Sequence, residues 1–122
     1  MLLKKFSFKK VKSTNDVAIR KIRSGFLKGI IVSDEQSKGR GRHGKNWISI
    51  KGNLFTTIFI PLKKNYNQVK ITNINCKLIK DCINKIIKKK ITVKKPNDLL
   101  IEEKKICGIL QEMYTYKKKH FM

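Results

Sequence analysis

The spacing of apolar residues changes twice within the first thirty positions. Phe6 and Phe8 alternate with polar neighbours, the period of a half-buried strand, and Ser13-Thr14-Asn15-Asp16 then offers side-chain caps with an acid in the first turn. Val17, Ala18 and Ile22 fit one helical face, which predicts a helix to about Ser24 closed by Gly25. Gly29-Ile30-Ile31-Val32 is short, β-branched and bounded by turn formers, so it predicts a buried strand. Residues 37–46, SKGRGRHGKN, hold three glycines and no aliphatic side chain, which predicts a loop. Trp47 to Ile50 and Leu54 to Ile60 predict strands joined by a Lys51-Gly52-Asn53 turn.

From Val69 to Ile87 the apolar positions Ile71, Ile74, Leu78, Cys82, Ile83 and Ile86 follow a helical period, and Lys88 to Lys90 would suit the negative pole of that helix. Ile91 to Lys94, Leu99 to Ile101 and Lys105 to about Tyr116 predict further strands, with turns at Pro96-Asn97-Asp98 and Glu102 to Lys104. Residues 117–122 read as an unstructured tail. The order implies an α/β or α+β domain, a mixed and mostly antiparallel sheet backed by helices. At 122 residues the chain suffices for one domain, 1–122, without a repeat or linker.

Charge complicates this picture. Lys and Arg number 30 against 8 acids, a net charge of +22, which ordinarily signals a polyanionic partner. Only four of the 30 are arginine, however, and the lysines run from Lys4 to Lys119 without gathering in one segment. Together with 18 Ile and 9 Asn, they resemble compositional drift more than a binding face. Cys76, Cys82 and Cys107 show no paired or metal-ligand spacing and read as reduced, mostly packed thiols of a cytoplasmic protein. No signal peptide and no run of about 18 apolar residues is present, so neither export nor a membrane is expected.

Chemistry concentrates in Gly39-Arg40-Gly41-Arg42-His43-Gly44-Lys45. Glycines let backbone N–H groups approach an anion, and arginine forks grip carboxylate or phosphate through two hydrogen bonds. Two of the chain's four arginines fall here, so geometry beyond mere charge is required. From the loop alone, a flexible glycine-arginine segment contacting nucleic acid is an equal reading.

Other segments give the loop a context. Ser13-Thr14-Asn15, Glu35-Gln36, Gly39 to Trp47, Gly52-Asn53-Leu54, Lys94 to Leu99 (KKPNDL) and Lys105 to Leu110 (KICGIL) follow one another in that order. Their order and spacing resemble those of biotin protein ligases from about residue 11 to residue 112. The resemblance implies the catalytic domain of that family, which forms biotinyl-5'-AMP from biotin and ATP and moves biotin to a lysine of the biotin carboxyl carrier protein of acetyl-CoA carboxylase. Lipoate ligases share the fold, but the Gly-Arg-Gly-Arg loop favours biotin.

The same resemblance implies residue roles. Ser13, Thr14, Asn15 and Gln36 would hold biotin's ureido ring, and Arg40, Gly41 and Arg42 would close over its carboxylate and the α-phosphate. Lys105 would contact biotin and, with Arg42, stabilise the transition state. Arg42, His43, Trp47, Lys94, Asn97 and Asp98 would bind ATP, Trp47 by stacking on adenine and Asp98 by facing magnesium. ATP with Mg2+ is expected as co-substrate, biotin as substrate, and no tightly bound cofactor. The alternatives are core packing for Trp47 and an ordinary turn for Pro96-Asn97-Asp98. Lys95 stands where the family usually carries Trp, which bears on packing around that turn.

Neither an N-terminal helix-turn-helix nor a C-terminal barrel is expected in this chain, and specific DNA binding is not. The segment Lys105 to Tyr116 alternates apolar residues on both faces, so an exposed, association-prone edge and low activity of the chain alone are expected. A basic nucleic-acid-binding module and an inactive ligase fragment are the alternative functions.

Overall fold

A computed structural model of the protein describes residues 2–63 and 66–122. In chain order the elements are β1 (Lys5–Val11), α1 (Thr14–Arg23), β2 (Gly29–Gln36), β3 (Gly39–Arg40), β4 (Asn46–Trp47), β5 (Phe55–Phe59) and β6 (Pro61–Leu62). There follow α2 (Gln68–Asn84), β7 (Thr92–Lys94), β8 (Asp98–Ile101), β9 (Lys104–Gly108), β10 (Tyr114–Tyr116) and β11 (Lys119–Phe121). The class is the expected α+β one, with mostly antiparallel pairing and two helices. Contacts group the chain into two units, residues 1–64 with 112–122 and residues 65–111. No helix among the described residues is long and apolar enough to cross a membrane.

The first unit is built on a β-α-β crossover. Parallel strands β1 and β2 need a connection that crosses the sheet, and α1 supplies it; β5 then pairs antiparallel with β2, giving the order β1-β2-β5. Ser13 caps α1 by accepting from the Asp16 N–H, and Gly25 follows the helix at φ +96°, a conformation costly for any residue with a Cβ. Val17, Ala18 and Ile22 turn inward as their spacing predicts and meet Val11, Ile31, Phe59 and Phe121. Phe6 and Phe26 pack edge to face, with the Lys21 ammonium 4.4 Å from the Phe6 ring centre and that of Lys4 4.8 Å from Phe26. Some of the excess lysine is therefore part of the packing.

Three expectations for this unit change. β2 continues past Val32 to Gln36 because β1 pairs with it along that length, Val11 lying opposite Gln36. The glycine-rich segment is a small hairpin, β3 with β4, around a short 3-10 turn at Arg42–Gly44, and strand pairing stops at Trp47 instead of running to Ile50. The tail is not unstructured. β11 turns back on β10 and also pairs with β6, burying Phe121. The turn uses Lys117 and Lys118, both at positive φ, the geometry of a two-residue hairpin that Asn-Gly would signal and Lys-Lys does not.

In the second unit α2 lies against β8 of a β7-β8-β9 sheet. The helix ends at Asn84, so Lys88 to Lys90 lie beyond its last turn and do not face its dipole. Ile71 and Cys76 are buried, whereas Ile74, Leu78, Cys82 and Ile86 of the expected stripe are exposed. Apolar residues occupy more than half of this helix's circumference, so periodicity does not choose the face; packing does. The expected strand Lys105 to Tyr116 is two strands, β9 and β10, in different sheets. A register shift opposite Leu99 and Leu100 makes Ile106 an extra residue in β9. That bulge sets Lys105 opposite Leu100, hence on the same face as Asp98; regular pairing would set it opposite Ile101, on the other face.

Because Phe121 fills the core of the first unit, Phe121→Ala should cost about 3–5 kcal/mol in urea unfolding. A loss below about 1 kcal/mol would show that the C-terminal hairpin is not part of that core.

Candidate functional site

The polar residues of the first unit converge where α1 begins. The Thr14 backbone N–H donates to Gln36 Oε1 at 2.8 Å, and the Thr14 hydroxyl lies 3.0 Å from the same oxygen. Thr57, on the facing strand β5, lies 2.8 Å from the Thr14 hydroxyl and also contacts Asn15 Oδ1. Gln36 Nε2 in turn donates to Ser49 at 3.2 Å. Three oxygen-to-oxygen contacts (Thr14 to Gln36, Thr57 to Thr14, Thr57 to Asn15) share only two hydroxyl protons. This corner is therefore rich in acceptors and favours a ligand that brings N–H or O–H donors. Ser13, Thr14, Asn15 and Gln36 are brought together as the sequence suggests; Thr57 and Ser49 carry no sequence signal beyond being small hydroxyl residues in a strand and a loop.

Arg40, on β3, is held by acids. Its Nε and Nη2 donate to the two oxygens of Glu112 at 2.8 and 3.0 Å, and Nη1 donates to Asp16 at 2.8 Å and to the Ser13 hydroxyl at 3.2 Å. Four of its five N–H groups are used. The carboxylate that Arg40 grips is the protein's own. Glu112, bonded above all to Arg40, is held below the usual carboxylate range, and Arg40 is raised further beyond its own. Asp16 is legible in the sequence only as the first-turn acid of α1, and Glu112 does not stand out at all. What could have flagged them is scarcity, since the chain has only 8 acids and the sole buried-side arginine takes two of them.

The hairpin beyond Arg40 is shaped by its glycines. A Cβ on Gly39 would meet Ser49 Oγ at 2.7 Å, Gln36 Nε2 at 2.9 Å and the Trp47 carbonyl at 2.9 Å, so only glycine lets this strand lie against Gln36. Gly41 donates to the Lys45 carbonyl at 2.7 Å, closing the turn. Arg42 and His43 are exposed at its tip, Arg42 Nη2 3.4 Å from His43 Nε2. Trp47, at the end of β4, is 36% exposed.

In the second unit, Asn97 is locked to Ile109 through both its side chain and its backbone, and Lys94 lies exposed on β7 opposite Asp98. Asp98 Oδ1 is buried 2.9 Å from Lys105 Nζ, an ion pair without hydrogen-bond geometry. Burial pushes the Cys76 and Cys107 thiols up, so both are weak nucleophiles. The expectation of mostly packed thiols fits Cys76, which is buried, and Cys107, which is partly buried, but not Cys82, which is exposed. Among the described residues no three His, Cys, Asp or Glu side chains converge as a metal site would require. Asp98, the residue expected to face magnesium, lies beside the Lys105 ammonium.

Residues 7–122 match the model of the biotin/lipoate A/B protein ligase family. The chain belongs to this family. The bifunctional ligase/repressor BirA of Escherichia coli strain K12 is 31% identical over 107 residues, covering 84% of this chain and 33% of that protein. Biotin protein ligase from Aquifex aeolicus in complex with biotin and ATP superposes with a TM-score of 0.77 at 26% identity, over 98% of this chain and 50% of that one. The Leishmania major enzyme in complex with biotinyl-5-AMP gives 0.74 at 27% identity, over 99% and 56%. The chain thus spans about a third of the curated relative and about half of each solved structure.

The pH response of this family member follows from Glu112. A carboxyl whose folded pKa is depressed stabilises the fold above its unfolded pKa, and that contribution disappears as pH falls through the folded value. The stability gap between wild type and Glu112→Gln should therefore be widest near pH 7 and close as acid is added below about pH 4. A gap of the same size near pH 3 would contradict the ion pair.

Proposed function

We propose that the protein activates biotin with ATP to form biotinyl-5'-AMP and passes biotin to a lysine of biotin carboxyl carrier protein. The observation that carries the reading is the acceptor-rich corner of Thr14, Asn15, Gln36 and Thr57 beside a Gly-Arg-Gly-Arg hairpin. A cyclic urea offers two N–H donors to such a corner, and Ser13, at the start of α1, belongs to the same hydrogen-bonded group. Pairing of β3 with β4 favours this reading over a nucleic-acid-binding loop, which calls for an extended, flexible basic segment.

In the first step a carboxylate oxygen of biotin attacks the α-phosphorus of ATP, the P–O bond to the β-phosphate breaks, and pyrophosphate leaves. Two anionic groups must meet, so fixed cations are the main device that the protein contributes. Arg42 at the hairpin tip and Lys105 take that role. Asp98, with a carboxylate oxygen 2.9 Å from Lys105 Nζ, aims that ammonium. Arg40 supports the hairpin through Glu112 and Asp16, while the Gly41 backbone approaches the ligand. His43, Trp47, Lys94 and Asn97 are assigned to the nucleotide, with magnesium arriving as part of MgATP. In the second step the carrier lysine's amine attacks the acyl carbon of the mixed anhydride and AMP leaves.

Arg42→Ala and Lys105→Ala should each lower biotinyl-AMP formation by about 100-fold or more, read with α-phosphate-labelled ATP. A variant at wild-type rate would remove that residue from the mechanism. Trp47→Ala should weaken ATP binding more than biotin binding in titration calorimetry, since the ring would stack only on the base. Equal loss for both ligands would assign Trp47 to structure instead.

A further inference from the structure

We propose that Glu112 is a positioning and specificity-determining residue of the ligand site, because its carboxylate fixes both the Arg40 guanidinium and the orientation of the Asn15 amide. The inference rests on the biotin reading above and extends it to a residue outside the six sequence motifs.

An ionised carboxylate can only accept hydrogen bonds. Glu112 Oε1 accepts from Arg40 Nε at 2.8 Å and from Asn15 Nδ2 at 3.0 Å, and Oε2 accepts from Arg40 Nη2 at 3.0 Å. The Asn15 amide must then present its NH2 to Glu112 and its oxygen to Thr57. With that orientation the corner formed by Thr57, Thr14 and Gln36 gains a fourth acceptor, and the whole corner selects a ligand with N–H donors. The opposite orientation would put an NH2 group there and reverse the selection.

Arg40 completes the device. Its charge keeps Glu112 ionised at neutral pH, and its remaining contacts, to Asp16 and Ser13, tie the same carboxylate to the first turn of α1. Glutamine at position 112 keeps the size of the side chain but can donate as well as accept, so Asn15 is free to turn over. Aspartate keeps the charge but is one methylene shorter.

The test compares wild type with Glu112→Gln and Glu112→Asp in two measurements. The first follows the Asn15 side-chain amide protons by NMR in the ligand-free protein. The second measures affinity for biotin, for a biotin methylated on a ureido nitrogen, and for ATP. In wild type the Asn15 amide protons should be shifted and slow to exchange. In Glu112→Gln they should exchange freely, biotin should bind on the order of 10-fold more weakly, and its advantage over the methylated analogue should shrink. ATP affinity should fall less than biotin affinity, and Glu112→Asp should recover part of the biotin affinity. Unaltered Asn15 signals in Glu112→Gln would overturn the proposal, as would parallel losses for biotin and ATP, which mark a merely structural role. If wild type does not bind biotin, the preceding functional reading fails, and the amide signals alone decide whether Glu112 is the lock.

Discussion

The bidentate ion pair between Arg40 and Glu112 is the contact on which the candidate site depends. It joins residues 72 positions apart, and through Asp16, Ser13 and Asn15 it binds the first turn of α1 to β3. In a chain of +22 charge such a contact is more selective than in a balanced one. Most of the chain's other charged groups are cations, so a misplaced Arg40 meets repulsion more often than attraction, whereas two carboxylates in a partly shielded place define one stable arrangement.

The same charge excess shapes the remainder of the fold. Lys4 and Lys21 spend their charge on aromatic faces, Lys117 and Lys118 make a hairpin turn, and Lys105 is held by the buried Asp98 oxygen. In each case the lysine is tied to a local device and not to a shared basic surface. Compositional drift toward lysine is compatible with the fold because its apolar stem packs well while its ammonium finds a ring, an acid or water.

Elements whose pattern is set locally were legible in the sequence. The cap at Ser13, the inward face of α1 and the glycine after it all depend on neighbours a few residues away. Elements set by distant partners were not. The length of β2 follows from β1, the face of α2 from β8, and the burial of Phe121 from β6 and the first-unit core. In the candidate site the motif residues Ser13, Thr14, Asn15, Gln36 and Arg40 were visible, but Glu112, Thr57, Ser49 and the pairing of Asp16 with Arg40 were not, since a hydrogen-bond partner is named by geometry and not by spacing. The Ile106 bulge is of the same kind: one extra residue decides whether Lys105 and Asp98 share a face.

In the proposed reaction two arginines divide the labour, Arg40 holding the hairpin from within and Arg42 meeting the ligand. Because the chain contains only four arginines, their side-chain N–H signals can be resolved in protein labelled with 15N-arginine. Titration with biotin and then MgATP tests the division directly. A slowly exchanging Arg40 Nε–H should stay in place throughout, and the Arg42 signal should shift and become protected as the ligands bind. A large shift at Arg40 with none at Arg42 would contradict the division.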